Sequence, residues 1–353
     1  MHQPEYRNLQ TGEFQLPWTY LHVIKDYVDM VAHLEAIPEA KAVINFAPIL
    51  LEQIEDYAQQ VNGFLQDQIA IKDPLLAALV MPAIPADGEA RLELINNCLR
   101  ANRERQVNRY PAFKNLAKMA EWVQSNADAI NYTNSQFIAD FLVWYHLAWM
   151  GETVKLSDVR LQRLIVKGHD YTLHDRLEII QIIGEILSKV ICRYKALAKN
   201  GQIELSVTPY AHPIIPLMLD IKSTHEAMPG ASLPELDAYP GGEARAKWHI
   251  KQGLSTFKRF FGFTPAGCWP SEGAVSEATL KLLKQSGFKW TATGGNVLHN
   301  SLHASNIEHE VSIHHPFQLK NIKLPCFFRD DGLSDLIGFE YSQWHADDAV
   351  ADF

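Results

Sequence analysis

The sequence predicts an α/β protein built on a parallel sheet or barrel. Three observations carry this expectation. Short β-rich runs hand over to helical patterns early in the chain, and the same alternation returns in its second half. Between them, from about residue 62 to 200, the pattern is almost wholly helical and reads as an insertion. Strands alternating with helices favour parallel pairing, which puts active groups where strands hand over to loops. At roughly 150 residues per domain, 353 residues hold about two domains or one large barrel.

Lys41–Phe46 (KAVINF) reads as the first strand. The helix after it, Ile49–Ala58, carries Leu50, Leu51, Ile54 and Tyr57 on one face. In the insertion, Tyr110–Val123, Asn134–Met150 and Arg176–Lys199 are the clearest helices, and Gly201 stands where a C-terminal stop belongs. Ile203–Thr208 is the next strand, followed by a turn with Pro209, Pro213 and Pro216. Thr264–Trp269 leads into a helix over Val275–Ser286, Lys289–Ala292 reads as a strand, and the apolar run Ile322–Phe328 enters a charged loop. The stretch 293–316 (TGGNVLHNSLHASNIEHEVSIHHP) reads as loop.

Composition narrows the function. Apolar residues make up 47% of the chain and charged residues 21%, enough for a large core. A net charge of −9 repels phosphate backbones and anionic lipid, so neither nucleic acid nor a membrane surface is an expected partner. The most apolar run, Phe137–Met150, is about 14 residues long and contains Asp140 and His146, against the roughly 20 apolar residues a span needs. Its stripe of Phe137, Phe141, Trp144, Tyr145 and Ala148 reads as packing core. Cys98, Cys192, Cys268 and Cys326 form no C-x-x-C pair and read as free thiols of a cytoplasmic protein.

Chemistry-bearing residues gather at the strand ends. They are His2; Tyr210 and His212; Trp269 and Glu272; and Arg329, Asp330 and Asp331. Sugar sites need this mixture, because ring faces pack on aromatics while hydroxyls require charged or amide partners. Glu272 is the first candidate for a catalytic carboxylate. Trp269 and Pro270 are expected to desolvate it partly, and Gly273 to permit close approach. The alternative is an acid placed near the N-terminus of the next helix to complement its dipole.

Four segments in order, HQPEYRN with GEFQLPWTYLHVIKDY, GQIELSVTPYAHPIIPLM, GCWPSEGAVS and CFFRDDGLSDLIGFEYSQW, resemble glycoside hydrolase family 57, whose members hydrolyse or transfer α-glucans. The resemblance runs from His2 to Phe353. It implies one catalytic domain over 1–353, an incomplete distorted (β/α)7 barrel with the helical insertion, and a retaining mechanism without a cofactor. It makes Glu272 the nucleophile and His2 a residue lining the sugar site. His212 and Trp269 fall near the substrate, with Tyr210, Arg329 and Asp330 as further substrate-binding candidates. The implied substrate is an α-glucan or maltooligosaccharide.

A retaining site also needs an acid/base carboxylate roughly 5–5.5 Å from the nucleophile. The family pattern supplies it from a D-G-E-N-x-W-E-like stretch downstream of SDLIGF, which this sequence does not contain. Asp87-Gly88-Glu89 lies in the helical insertion and reads as a surface turn. Asp330, Asp331 and Asp335 are the nearby substitutes, Asp335 reading as structural. An apolar strand is also expected before His2-Gln3-Pro4, where Met1 stands. The expectation is therefore a fragment of a longer protein, with its acid/base downstream of Phe353.

Two other classes compete. His299, His303, His309, His314 and His315 motivate a metal-dependent carbohydrate esterase or mannosidase-like enzyme, since His299 and His303 have helical-face spacing. Trp18, Trp248, Trp269 and Trp290 motivate a non-catalytic glucan-binding module with aromatic platforms.

Overall fold

The computed structural model describes residues 1–353 apart from 229, 237 and 308–310. It contains two compact units. One, Met1–Pro4 with Ala42–Leu51 and Ile203–Phe353, holds the sheet; the other, Glu5–Lys41 with Glu52–Gln202, is helical.

The sheet consists of β1 (Ala42–Phe46), β2 (Ile203–Val207), β3 (Gly267–Cys268), β4 (Trp290–Gly294) and β5 (Cys326–Arg329), all parallel and in sequential order. Period-two alternation sorts their side chains. Ile44 and Phe46 of β1 and Ile203, Leu205 and Val207 of β2 are buried, and Phe46 meets Phe261 at 5.3 Å between ring centroids. Phe261 ends the helix Gly242–Phe261, whose Phe257 packs beside it at 4.6 Å. The opposite face carries Val43, Asn45, Glu204, Ser206, Trp290 and Phe327 and lines a cavity of about 420 Å³. Trp290 also explains Gly267, because a Cβ there would stand 1.9 Å from the indole ring.

Helices follow the strands. Pro48–Asp67 comes after β1, Gly242–Phe261 after β2, Glu277–Gln285 after β3, Gly295–Ala304 after β4 and Asp331–Asp335 after β5. Sequential parallel order with intervening helices is barrel wiring, and among the described residues β1 and β5 do not pair. The sheet unit thus has the α/β class and incomplete distorted barrel expected. Met1 lies along β1: its ammonium donates to the Asn45 carbonyl at 2.5 Å, and Ala47 N–H donates to the Met1 carbonyl at 3.0 Å. Pairing on both sides of Phe46 delivers His2 to the C-terminal end of the sheet.

One expectation is corrected. Within 293–316, read as loop, β4 continues through Gly294, and Gly295–Ala304 forms a helix. Leu298 is buried and Leu302 follows one turn later, enough to fix an apolar side despite the weak helix formers Gly295, Asn296 and Asn300.

In the helical unit, Ser135–Trp149 is buried along nearly its whole length, including the stripe Phe137, Phe141, Trp144, Tyr145 and Ala148. Its polar residues are satisfied: Asp140 accepts from the backbone N–H groups of Asp170 and Tyr171 at 3.0 and 2.9 Å. His146 donates from Nδ1 to the Leu142 carbonyl and accepts at Nε2 from the Tyr20 hydroxyl, at 2.8 and 3.0 Å. Leu173–Lys199 opens on a capping box between Thr172 and Asp175. Asp87 accepts from Ala90 N–H and caps the helix Gly88–Cys98, which gives the Asp-Gly-Glu triplet a helix-starting role. No helix among the described residues is long and apolar enough to cross a membrane.

Candidate active site

The C-terminal ends of the strands gather the candidates. His2 leads in beside β1, Tyr210 and His212 follow β2, Trp269 and Glu272 follow β3, and Arg329 closes β5. Two sharp turns set the chemistry. After β2, Ala211 and His212 have φ of 56° and 57°, and His212 N–H donates to the Pro209 carbonyl at 3.0 Å. After β3, Glu272 and Gly273 have φ of 53° and 67°. For a residue with a Cβ, left-handed backbone costs roughly 1–2 kcal/mol and persists where the surroundings impose it.

The turns bring three side chains together. The imidazoles of His2 and His212 stack with centroids 3.8 Å apart and planes 19° from parallel. Glu272 Oε1 lies 3.8 Å from His212 Nδ1, too far for a direct hydrogen bond. Burial lowers both histidines below 6.5; His212 lowers His2 further, and Glu272 opposes the shift in each. The expected desolvation of Glu272 is corrected: its side chain is 74% exposed, because the left-handed turn carries it into solvent beside His212. The Trp269 ring lies instead against Gly273, 3.6 Å from where a Cβ would stand.

Among the described residues, His2, His212 and Glu272 also form the one cluster of three possible metal ligands, with ligating atoms within 4.8 Å of one another. Imidazole lone pairs lie in the ring plane, so the two stacked rings present theirs side by side, and a shared ion would require the rings to splay. His299 and His303 are exposed on the helix Gly295–Ala304, and His309 lies outside the described residues.

Tyr210 is pinned by its backbone. Its N–H donates to the His249 carbonyl at 3.0 Å and its carbonyl accepts from His249 Nδ1 at 2.5 Å, while its ring meets Trp248 edge-on at 5.6 Å. Arg329 donates to Asp331 Oδ1 at 2.9 Å, and Asp331 Oδ2 accepts from Asn296 N–H at 3.3 Å. Asp330 accepts from Leu333 N–H at 3.0 Å and caps the helix Asp331–Asp335. Asp331, rather than Asp330, thus ties the end of β4 to the end of β5. The signal available in sequence was the i, i+2 pairing of Arg329 with Asp331. Of the remaining tryptophans, Trp290 stands at the start of β4 and donates to Glu204 Oε1 at 2.6 Å, at the opposite end of the strand from the Glu272 turn, and Trp18 lies in the helical unit.

The profile of glycosyl hydrolase family 57 matches residues 1–353. The chain belongs to glycosyl hydrolase family 57. Solved structures similar to this family 57 chain include an α-amylase from Thermotoga maritima, at 13% identity and a TM-score of 0.45, with 95% of this chain and 45% of that chain covered. A GH57-type branching enzyme from Pyrococcus horikoshii aligns at 15% identity and a TM-score of 0.44, covering 94% of this chain and 46% of that one. A GH57 branching enzyme from Thermococcus kodakaraensis, solved with glucose, aligns at 14% and 0.47, covering 96% and 48%. The family 57 chain therefore spans just under half the length of these structures. No curated protein matches its sequence significantly.

Proposed function

We propose that this chain carries the nucleophile side of a retaining glycoside hydrolase or transglycosidase site acting on α-1,4-linked glucans, with α-1,6 linkages as a second candidate. Family membership over the whole chain supports the reaction class. The observation that carries the residue assignment is Glu272, held at a strand's C-terminal end in a left-handed turn beside the stacked His2 and His212.

In this reading a glucosyl ring packs on the histidine stack and Trp269, with Tyr210 and Arg329 farther out. A Glu272 carboxylate oxygen attacks the anomeric carbon as the glycosidic C–O bond breaks, giving a glycosyl ester. An acid protonates the departing oxygen, and water or an acceptor hydroxyl then releases the sugar. Asp330 and Asp331 are both engaged as acceptors, as a helix cap and as the partner of Arg329 and Asn296, and neither is assigned the acid role. Four unpaired cysteines fit the cytoplasmic location that goes with this reading.

The test isolates the nucleophile. An α-glucosyl fluoride slowed by a second fluorine on the ring needs no acid, because fluoride leaves unaided. We expect one glycosyl unit per chain by intact mass, located on Glu272 and absent in Glu272→Gln. No label, or a label on another residue, removes Glu272 from the mechanism.

A further inference from the structure

The turn that carries Glu272 is held from the neighbouring strand. Its internal bonds occupy N–H groups: Gly273 N–H donates to the Pro270 carbonyl and Ala274 N–H to the Ser271 carbonyl, each at 2.9 Å. The Gly273 carbonyl is gripped from outside by the Thr293 hydroxyl at 2.5 Å. Thr293 lies near the end of β4 and is fully buried. Two residues earlier, on the same face of the strand, Thr291 makes the equivalent bond, its hydroxyl donating to the Cys268 carbonyl at 2.9 Å.

The Thr291 bond falls at the last backbone-paired position of the two strands, and the Thr293 bond lies beyond it. The β3–β4 pairing covers just Gly267 with Trp290 and Cys268 with Thr291, after which the chain leaves β3 for the turn. Past that point, β4 keeps hold of the departing chain by side chain instead. A β-branched threonine suits the task, because its χ1 is restricted and its hydroxyl direction is largely set by the backbone.

We propose that Thr293 is a positioning residue that fixes the Glu272 carboxylate for attack by clamping the Gly273 carbonyl; this rests on the nucleophile assignment above. Thr293 has no exposed surface and acts through the peptide that follows Glu272. Without the clamp, a turn with two successive left-handed residues and an exposed carboxylate samples other conformers, and attack geometry is sensitive to displacements of about 1 Å.

The experiment follows labelling by the same ring-fluorinated α-glucosyl fluoride on the full chain, separating the maximal labelling rate from the concentration giving half that rate. Thr293→Val keeps the shape and deletes the hydroxyl; we expect its maximal rate to fall about tenfold or more with half-saturation nearly unchanged. Thr293→Ser restores the hydroxyl and is expected to recover most of the rate. Thr293→Ala, which also lacks the hydroxyl but relieves any crowding, is measured beside them. A folded Val or Ala variant labelling at the wild-type rate overturns the inference. So does a folded Ser variant as slow as Val, or loss of the fold in both hydroxyl-free variants, which would make Thr293 purely structural. A wild-type chain that takes no label on Glu272 removes the nucleophile assignment itself, whereas a labelled wild type with an equally fast Thr293→Val removes this inference alone.

Discussion

His2 and His212 stack face to face, 3.8 Å between ring centroids, one carried in by the N-terminal residues paired beside β1 and the other just after β2. Their proximity makes each a sensor of the other and of Glu272. Burial is the first cause of the lowered value of His2, and the neighbouring His212 the second, while Glu272 raises both. Replacing His212 with Gln is expected to move the His2 titration up toward 6.5, and Glu272→Gln to move both histidines further down. Proton NMR titration of the ring resonances reads both. A His2 value unmoved by the His212 change would show the stack to be electrostatically silent. The sign for stability follows from the lowered folded values: the unfolded chain takes up these protons first, so the contribution is whole above about pH 6.5 and is lost as pH falls.

Glu272 trades backbone strain for position. Glycine occupies left-handed backbone without the Cβ penalty, so Glu272→Gly should raise stability by up to about 1 kcal/mol while abolishing labelling. Glu272→Gln keeps the strain and should abolish labelling with an unchanged melting temperature. Thermal unfolding of the two variants side by side tests this, and equal melting temperatures would show the turn to be unstrained.

The two neighbouring aspartates after β5 have different work. Removing Asp331 (Asp331→Ala) takes away the acceptor for Asn296 N–H and the partner of Arg329, so amide exchange over Gly295–Ala304 should accelerate, by the equivalent of about 1 kcal/mol. Removing Asp330 (Asp330→Ala) uncaps the short helix Asp331–Asp335 and should leave exchange in Gly295–Ala304 as it was. Identical exchange patterns in the two variants would contradict the division of roles.

The helical unit hides two titrating groups of opposite effect. Burial lowers His146 to about 4 and raises Asp73 to about 6, the latter opposed by bonds from Leu76, Tyr57 and Leu75. Between about pH 6 and 4, folded Asp73 holds a proton the unfolded chain lacks, so acid stabilises through it. Over the same range the unfolded chain protonates His146 while the folded one does not, so acid destabilises through that residue. Their slopes nearly cancel. The change Asp73→Asn should unmask His146 and steepen the loss of stability from pH 6 to 4; His146→Phe should do the reverse. Urea titrations across this range decide it, and parallel curves for wild type and both variants would refute the opposition.

How much of this was legible beforehand follows from what each element rests on. β1 and β2 show themselves as apolar runs because five residues, with Ile44 and Phe46 or Ile203, Leu205 and Val207 buried on one face, leave a pattern in composition. β3 has two residues and no pattern of its own; only the strand-end motif Trp269 to Glu272 marked the place. Gly295–Ala304 was missed because its first residues are poor helix formers and its stability comes from Leu298 in the core. For the site, residue types showed which side chains would gather, but not the backbone sign of Glu272, which decides its exposure. Glutamate is not a residue whose presence announces left-handed backbone. Thr293 had a readable signal: two hydroxyls at i, i+2, Thr291 and Thr293, on one face of a short strand and both buried.

Each unit also carries its own clock. Cys98 is buried in the helical unit and Cys268 and Cys326 in the sheet unit, with burial pushing Cys326 up to about 12 and raising the other two as well; Cys192 lies open. A thiol reagent in solution therefore takes Cys192 at once and must wait for the rest until their surroundings come apart. The order in which Cys98, Cys268 and Cys326 then react records whether helices and sheet open in one event or two, and the chain needs no added probe to report it.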